Sequence, residues 1–259
     1  MKFLPLCTLL LLTHSSIGQT DQSLYDQNQS HHTWSYGGEY GPNHWAEMDS
    51  EYGSCNGFIQ SPIDILSQSC QVSEATIEFH YHPFFVDLIN NGHTLIEKIV
   101  EPKALTFNGE FYNLLQFHFH TPSEHHVDGK EFPMEIHFVH KGANGQYIVV
   151  AVLIEQGAQK NPFLAHFMKS LPTHVNEEIK SFEKADIMET FPQHLNSFYH
   201  YTGSLTTPPC TEGITWIIMT DPVVATENQI EAIHAIIHND NRPIQKINNR
   251  KVFVSSSSN

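Results

Sequence analysis

Six segments of this chain combine β-branched and aromatic residues with turn-forming borders, and they constrain its fold more than any other feature. Each lies between Gly, Pro or Asn residues, so we predict a β strand in each of them. In one-letter code they are FVDLIN, TLIEKIV, LLQFHFH, MEIHFVH, QYIVVAVLIEQ and ITWIIMT. Several alternate polar and apolar residues, which is typical of a sheet with two different faces. The sequence therefore predicts a mainly β fold built on one large sheet.

Two other segments carry helix signals. Asn161 precedes Pro162 and a short amphipathic run, which is the pattern of a cap followed by a first-turn proline. Thr226 and Gln229 have capping-box spacing ahead of a stripe of isoleucines that suits core packing. No linker, repeat or low-complexity tract interrupts residues 40–250. We therefore predict a single domain, residues 34–254, with short helices around the sheet.

The first 18 residues have the composition of a secretory signal peptide. Lys2 precedes an apolar run at residues 3–12, and small residues follow as far as Gly18. The run is too short to span a bilayer, which takes about 20 residues. A buried N-terminal helix is the alternative. We predict a signal peptide at 1–18, a polar arm at 19–33, and an exported protein, periplasmic or secreted, with no membrane partner.

The formal net charge of −15 restricts the partners of the protein. Phosphate backbones would repel such a chain, so nucleic acid is not an expected partner. An acidic surface that keeps an exported protein dispersed is the simpler explanation.

Three cysteines lie beyond the predicted signal peptide: Cys55, Cys70 and Cys210. An oxidising compartment favours one disulfide and one remaining thiol. Their spacing leaves all three pairings open.

The histidines of two predicted strands are placed on one side of the sheet. Because side chains alternate along a strand, Gln116, His118 and His120 share a face. Glu135 and His137 share a face of the MEIHFVH strand in the same way. If these strands are neighbours, three imidazoles converge.

Three neutral imidazoles and an open fourth position make a catalytic zinc site. Gln116 and Glu135 can each accept the spare ring N–H of a ligand histidine. A solvent-facing polar surface would explain an isolated His-x-His pair, but the matched Gln and Glu favour the metal. Two alternatives use the same residues: a cupin-like barrel, whose glycine six residues before the first histidine is here Tyr112, and a binding module with a structural metal.

Further motifs follow in a fixed order. The chain contains WSYGGEYGPNHW (34–45), QSPIDI (60–65), NNGH (90–93), QFHFHTPSEHHVDG (116–129), MEIHFVH (134–140), SLTTPPCTEGITW (204–216) and NRPIQ (241–245). Together these closely resemble the α-class carbonic anhydrases, in a compact form similar to the exported bacterial members. The resemblance covers almost the whole predicted domain. It implies a large, twisted, mostly antiparallel sheet of about ten strands with a Zn²⁺ ion at the base of a cleft.

The resemblance also implies the reaction, which is the reversible hydration of CO2 to bicarbonate and a proton. His118, His120 and His137 match the family's zinc ligands. Thr206 matches the threonine that accepts a hydrogen bond from hydroxide on the zinc, and Glu124 the carboxylate that accepts the Thr206 proton. This pair would orient the hydroxide toward the carbon of CO2.

Other matches define the surroundings of the zinc. His93 matches the family's proton-shuttle position, and His125 a buried structural histidine; an imidazole with a pKa near 6.5 suits a shuttle. Because CO2 is uncharged, its pocket should be apolar. The residues that the resemblance places in or beside this pocket are Val139, Val149, Leu205, Thr207 and Trp216.

The cysteine pairing follows from the same resemblance. Cys55 and Cys210 match the disulfide of exported members, which would brace the loop that carries Thr206 and leave Cys70 unpaired. We expect Cys70 to be buried; a link between two chains is the alternative. Asp240 departs from the family, which often has Asn there in contact with the zinc ligands. The alternative function is a non-catalytic binding protein that kept the fold. A monomer or a homodimer is expected.

Overall fold

The structure is a computed structural model that describes residues 34–99 and 104–255. The chain from Trp34 onward forms one compact unit. The predicted signal peptide and polar arm lie outside the described residues, so both stay predictions, as does the domain boundary at residue 254. In the described part of the chain, no helix has the length and apolar character needed to cross a membrane.

The described chain is rich in strands and has three short α helices. The strands are β1 Asp64–Ile65, β2 Gln71–Val72, β3 Ile77–His80, β4 Phe84–Asn90, β5 Leu95–Lys98, β6 Ala104–Phe107, β7 Glu110–His120, β8 His126–Val127, β9 Met134–Gly142, β10 Tyr147–Gln156, β11 Glu178–Ala185, β12 Phe198–Ser204, β13 Glu212–Met219, β14 Val223–Ala225 and β15 Phe253–Ser255. The α helices are α1 Trp45–Met48, α2 Pro162–Ala165 and α3 Glu227–Ile237, and 3-10 turns occupy Gly38–Tyr40, Ser50–Asn56, Ser67–Ser69 and Ile187–Thr190. All six predicted strand segments are confirmed.

One sheet of thirteen strands organises the molecule. Its main path runs β11-β4-β5-β7-β9-β10-β13-β12-β15-β2, and β3, β6 and β14 pair beside this path. The ten strands of the path agree with the expected number, and the short additional strands extend the sheet. Most pairs are antiparallel, but β10 pairs in parallel with both β13 and β14. The pair β7–β9 lies in the interior of the path, where neighbouring strands hold both in position.

The two faces of the sheet bury different clusters of apolar side chains. Phe117 and Phe138 face each other across β7 and β9 and belong to the larger cluster, which also receives α2 and α3. Val139, Val149 and Trp216 belong to the smaller cluster on the opposite face. The histidines that alternate with these phenylalanines therefore point to the side of the smaller cluster.

Both predicted helix starts are confirmed. The Asn161 side chain accepts a hydrogen bond from the Leu164 backbone N–H at 3.0 Å, although α2 has four residues. The capping box of Thr226 and Gln229 is formed at the start of α3.

A disulfide joins Cys55 to Cys210, which confirms the pairing implied by the resemblance. Two further contacts hold its ends: Gln60 Nε2 donates to the Cys210 carbonyl at 3.2 Å, and Arg242 Nη2 donates to the Cys55 carbonyl at 2.9 Å. Cys70 is free, but it is half-buried rather than buried as expected, because it lies next to β2 at the edge of the sheet.

Removal of this disulfide is expected to lower the stability of the protein strongly. The bond spans a sequence separation of 155 residues, so the chain-entropy model assigns it up to about 5 kcal/mol of unfolding free energy. Urea unfolding of the Cys55→Ser/Cys210→Ser double variant would measure this loss, with Cys70→Ser as the matched control. An unchanged urea midpoint in the double variant would contradict the prediction.

Candidate metal centre

Three histidines converge on the face of the sheet that carries the smaller apolar cluster. His118 on β7 lies directly opposite His137 on β9, and His120 follows two residues along on the same face. Their ring centroids are 4.9 Å (118–120), 5.1 Å (118–137) and 4.6 Å (120–137) apart. One ring nitrogen from each lies within 4.8 Å of those of the other two. The three residues thus form a compact set of nitrogen ligands.

Outer hydrogen bonds determine which ring nitrogen of each histidine is available. His118 Nδ1 donates to Gln116 Oε1, and His137 Nε2 donates to Glu135 Oε1, both at 2.7 Å. His120 Nδ1 donates to the backbone carbonyl of Asp240, also at 2.7 Å. Each acceptor fixes a ring tautomer and orientation. The remaining nitrogens, which carry lone pairs, are Nε2 of His118, Nε2 of His120 and Nδ1 of His137.

The residues of this set fit a divalent cation. His120 Nε2 and Glu124 Oε2 are buried and have no hydrogen-bond partner in the described structure. Burial, reinforced by the neighbouring imidazoles, holds the pKa of His118 well below its usual value, and burial also lowers the pKa of His137. Both rings are therefore neutral at pH 7, which is the form that ligates metals. Imidazole nitrogens are ligands for zinc and other borderline metals.

His120 has a different electrostatic environment. Burial lowers its pKa, but the nearby carboxylates of Glu124 and Asp240 outweigh that effect, so the net pKa is raised. The closest oxygens are Glu124 Oε2, 3.6 Å from Nε2, and Asp240 Oδ2, 3.6 Å from Nδ1. Burial raises the pKa of Asp240 to about 8, so Glu124, the larger of the two influences on His120, is the group that favours a positive charge here near pH 7, whether it comes from a proton or from a metal.

Glu135 connects the histidine set to a wider polar network. Its Oε1 accepts from both His137 Nε2 and His125 Nδ1 at 2.7 Å, and its Oε2 accepts two backbone N–H groups at 2.8 Å. Burial raises its pKa, but these two imidazoles outweigh it, so the pKa of Glu135 is well below its usual value. His125 continues to the Tyr201 hydroxyl at 2.7 Å, in keeping with its expected structural position. Glu135 is therefore an ionised and fully engaged support for His137.

The structure does not form the predicted hydrogen bond between Thr206 and Glu124. Glu124 Oε1 accepts from the backbone N–H of Arg242 at 2.9 Å, whereas Oε2 points toward the rings of His120 and His137, 3.6 and 4.0 Å away. The attraction between this oxygen and the histidine rings accounts for its direction. Thr206 is itself 5% exposed. The pairing of Thr206 with Glu124 stays a prediction.

Two supporting residues act in ways that the sequence analysis did not predict. Asp240, which the resemblance placed in contact with the zinc ligands, binds His120 through its backbone carbonyl, a contact that no sequence pattern reveals. Arg242 is 2% exposed, and its guanidinium donates to Gln60 Oε1, to the Ser61 carbonyl and to the Cys55 carbonyl. Arg242 thus links the disulfide to the backbone that holds Glu124.

An apolar wall adjoins the histidines. Val139 lies two residues from His137 on β9, directly opposite Val149 on β10, and Val149 is opposite Trp216 on β13. Val139 is 4% and Val149 2% exposed. Leu205 is half-buried and packs against the same cluster, and Thr207 is half-buried. Val139, Val149, Leu205 and Trp216 therefore lie on the same side of the sheet as the histidine set, and their pocket role and that of Thr207 stay predictions.

His93 lies in the NNGH turn at the start of β5. The Asn91 side chain shapes this turn by accepting the backbone N–H groups of His93 and Thr94 at 2.9 and 2.8 Å. The His93 ring stacks on Trp34 with centroids 3.8 Å apart and an angle of 8°. Burial lowers the pKa of His93 to about 4. This differs from the near-neutral pKa expected of a shuttle.

Comparison with known proteins agrees with this fold and geometry. The family model described as eukaryotic-type carbonic anhydrase matches residues 40–256. A carbonic anhydrase of Klebsiella pneumoniae is 40% identical over 224 residues, covering 85% of this chain and 90% of that protein, and one of Pectobacterium atrosepticum is 38% identical over 222 residues with the same coverage. The chain belongs to the α-class carbonic anhydrase family.

Solved structures show the same similarity. The α-carbonic anhydrase of Thermovibrio ammonificans, in complex with the inhibitor sulfanilamide, has a TM-score of 0.82 and 36% identity, covering 85% of this chain and 98% of that one. Dioscorin complexed with ascorbate has a TM-score of 0.81 and 29% identity, covering 87% of this chain and 99% of that one.

Proposed function

We propose that this protein is a zinc-dependent carbonic anhydrase that hydrates CO2 reversibly to bicarbonate and a proton. The observation that carries the proposal is the convergence of three imidazole nitrogens, from the buried His120 and His137 and the half-buried His118, beside an apolar wall. An outer hydrogen-bond acceptor fixes the tautomer of each ring. Zinc suits this ligand set because three neutral imidazoles leave the ion its full charge. Metal analysis of the purified protein combined with a stopped-flow CO2 hydration assay tests it. One zinc per chain and rapid, sulfonamide-sensitive turnover are expected.

His118, His120 and His137 would hold the ion, with Gln116, Glu135 and the Asp240 carbonyl orienting the rings. When bound, zinc supplies Lewis acidity that brings the pKa of a coordinated water near 7, a general property of carbonic anhydrases and not a result of this structure. The outer acceptors raise the basicity of their ligand rings and keep them in place. Replacing one of them typically costs 10–100-fold in metal affinity or activity.

The surrounding side chains would bind and orient the reactants. An ionised Glu124 can accept hydrogen bonds but cannot donate them. A Thr206 hydroxyl that donates to Glu124 must therefore present an oxygen lone pair toward the metal. This would fix the direction of the attacking oxygen. The wall of Val139, Val149 and Trp216 offers uncharged CO2 an environment without competing hydrogen bonds. Bicarbonate, being charged and strongly hydrated, would be favoured to leave it.

His93 is proposed to carry the proton between the site and the buffer. While its ring stacks on Trp34, its low pKa makes it a poor acceptor near pH 7, so we infer that it must leave the stack to act.

His93→Ala is expected to retain zinc but to slow turnover about tenfold or more in weak buffer, because a positioned acid–base group is lost. A small imidazole buffer should restore the rate. Stopped-flow hydration at low and high buffer concentration measures this effect. Trp34→Ala is the companion variant, because it keeps the His93 ring and removes the aromatic ring on which His93 stacks. Unchanged turnover of His93→Ala in weak buffer would show that the proton leaves by another route.

A non-catalytic binding protein remains the second candidate, since dioscorin has this fold and was solved with ascorbate. The histidine set argues against it, because a binding scaffold has no need of three ring nitrogens within 4.8 Å of one another. Tightly held zinc without CO2 hydration would favour this second candidate.

The partners and location follow from the same proposal. The substrates are CO2 and bicarbonate, and the Cys55–Cys210 disulfide suits an oxidising compartment, so we propose an exported protein, periplasmic or secreted. A monomer or homodimer without a nucleic-acid or membrane partner stays a prediction.

A further inference from the structure

Glu97 is a buried acid on the apolar face of β5. It lies directly opposite Phe117 of β7, which belongs to the larger apolar cluster. The residue is 5% exposed, and its Oε2 has no hydrogen-bond partner in the described structure. A carboxyl group in such a place is far costlier to bury ionised than neutral.

The Glu97 carboxyl group contacts β4 at the place where β4 and β5 separate. These strands form two residue pairs, Ile89 with Ile96 and Asn90 with Leu95. Beyond these pairs, the backbone of Asp87 hydrogen-bonds to the Glu97 carboxyl. The Glu97 side chain thus continues the contact between the strands past the end of their ladder.

The charges around Glu97 oppose its ionisation. Asp87 on β4 and Glu178 on β11 both act on it as negative neighbours, while β7 presents the uncharged Phe117. Lys180 on β11 lies 3.7 Å from Glu178 and pairs with it at the surface, and the exposed Lys98 follows Glu97 on β5. Burial and, to a smaller extent, the charges of Asp87 and Glu178 raise the pKa of Glu97; the hydrogen bond from the Asp87 backbone N–H opposes them, and the net pKa is about 8.

We propose that Glu97 is a pH-sensitive latch between β4 and β5. The neutral carboxyl can stay buried against Phe117 with this edge of the sheet closed, whereas the ionised carboxylate, whose Oε2 has no partner, favours contact with water and loosens the edge in spite of the Asp87 hydrogen bond. The segment affected includes the turn that carries His93, because that turn joins β4 to β5. The latch is independent of the metal centre, whose histidines point to the opposite face.

The latch has a defined effect on stability. In the unfolded chain, Glu97 ionises at its ordinary pKa of about 4.3. Between about pH 5 and pH 8 the folded protein therefore holds one proton that the unfolded chain has released. The unfolding equilibrium constant should rise about tenfold per pH unit in this window from this group alone, and the contribution should level off above pH 8.

Urea unfolding of the full zinc-loaded protein from pH 5.5 to 9.5 tests this, with Glu97→Gln as the neutral variant of the same shape. We expect the ratio of wild-type to variant unfolding constants to rise about tenfold per pH unit up to about pH 8 and then stay constant. Glu178→Gln, which removes an exposed neighbouring acid, should keep a comparable slope. Glu97→Leu, which suits the apolar face, should behave like Glu97→Gln. Parallel curves for wild type and both Glu97 variants would overturn the proposal.

Hydrogen exchange locates the effect. At pH 9, after correction for intrinsic exchange rates, amides of β4 and β5 should open more readily in the wild type than in Glu97→Gln, while β9 and β10 should not differ. A uniform difference over the whole sheet would show a global stability effect and would overturn the latch.

Discussion

Replacing His118 by alanine is expected to abolish both tight zinc binding and CO2 hydration. The variant removes one of three nitrogens that lie within 4.8 Å of one another, and the remaining two cannot complete a tetrahedral protein site. The loss of zinc affinity should exceed the 10–100-fold typical of an outer hydrogen-bond partner. Elemental analysis after dialysis against a chelator, together with stopped-flow hydration, measures both effects.

A graded series makes this result specific. Gln116→Ala keeps all three ligands and removes the acceptor of the His118 Nδ1–H, so it should lose about 10–100-fold in zinc affinity. His126→Ala removes a half-buried histidine of the same segment and should leave the zinc content unchanged. Zinc retained at one per chain by His118→Ala would refute the ligand assignment, and equal losses in all three variants would point to a general folding defect.

The histidine set was predictable because it depends on short-range order. Strand side chains alternate with a period of two, so the relation of His118 to His120 and Gln116, and of His137 to Glu135, is determined within each strand. The inference needed a single long-range assumption, that these two strands are neighbours, and the β7–β9 pairing satisfies it. The apolar partners on the other face, Phe117 and Phe138, agreed with the same alternation.

The supports of the site were not predictable, because they join residues far apart in sequence. The Asp240 carbonyl reaches His120 across 120 positions, and the Arg242 backbone reaches Glu124 across 118. Both are contacts of main-chain atoms, which carry no side-chain signature. The parallel pairing of β10 with β13 likewise depends on a long connection.

Glu97 shows a different limit of pattern reasoning. In TLIEKIV the acid lies between Ile96 and Lys98, and a sequence pattern assigns two adjacent charged residues to solvent. The structure places it opposite Phe117 instead, because the register of β5 on β7 puts Ile96 on the face of His118. Register is a tertiary property, so a local pattern does not determine which of two adjacent residues faces the larger apolar cluster.

Enlarging Val139 is expected to stop CO2 hydration while leaving the zinc site intact. Val139 is 4% exposed, two residues from His137, and opposite Val149. A tyrosine there would extend from the wall into the space beside the histidine nitrogens and would replace none of the three ligands, although its position lies opposite Gln116, the acceptor of the His118 Nδ1–H. Misplacing a reactant by about 1 Å can cost 10²-fold, so complete occlusion should lower kcat/KM by on the order of 10²-fold or more.

Val139→Tyr should therefore keep one zinc per chain, lose most activity, and lose about 1–3 kcal/mol of stability from overpacking. Val139→Ala is the matched control: it widens the same place, so activity should fall far less. Val149→Phe approaches the pocket from β10 and should reproduce the tyrosine effect by an independent route. Stopped-flow hydration and zinc analysis of the three variants distinguish a blocked pocket from a lost metal. Full activity in both enlarged variants would mean that CO2 reaches the metal from another side. Two opposite residues of the wall would then have been enlarged without any loss of turnover.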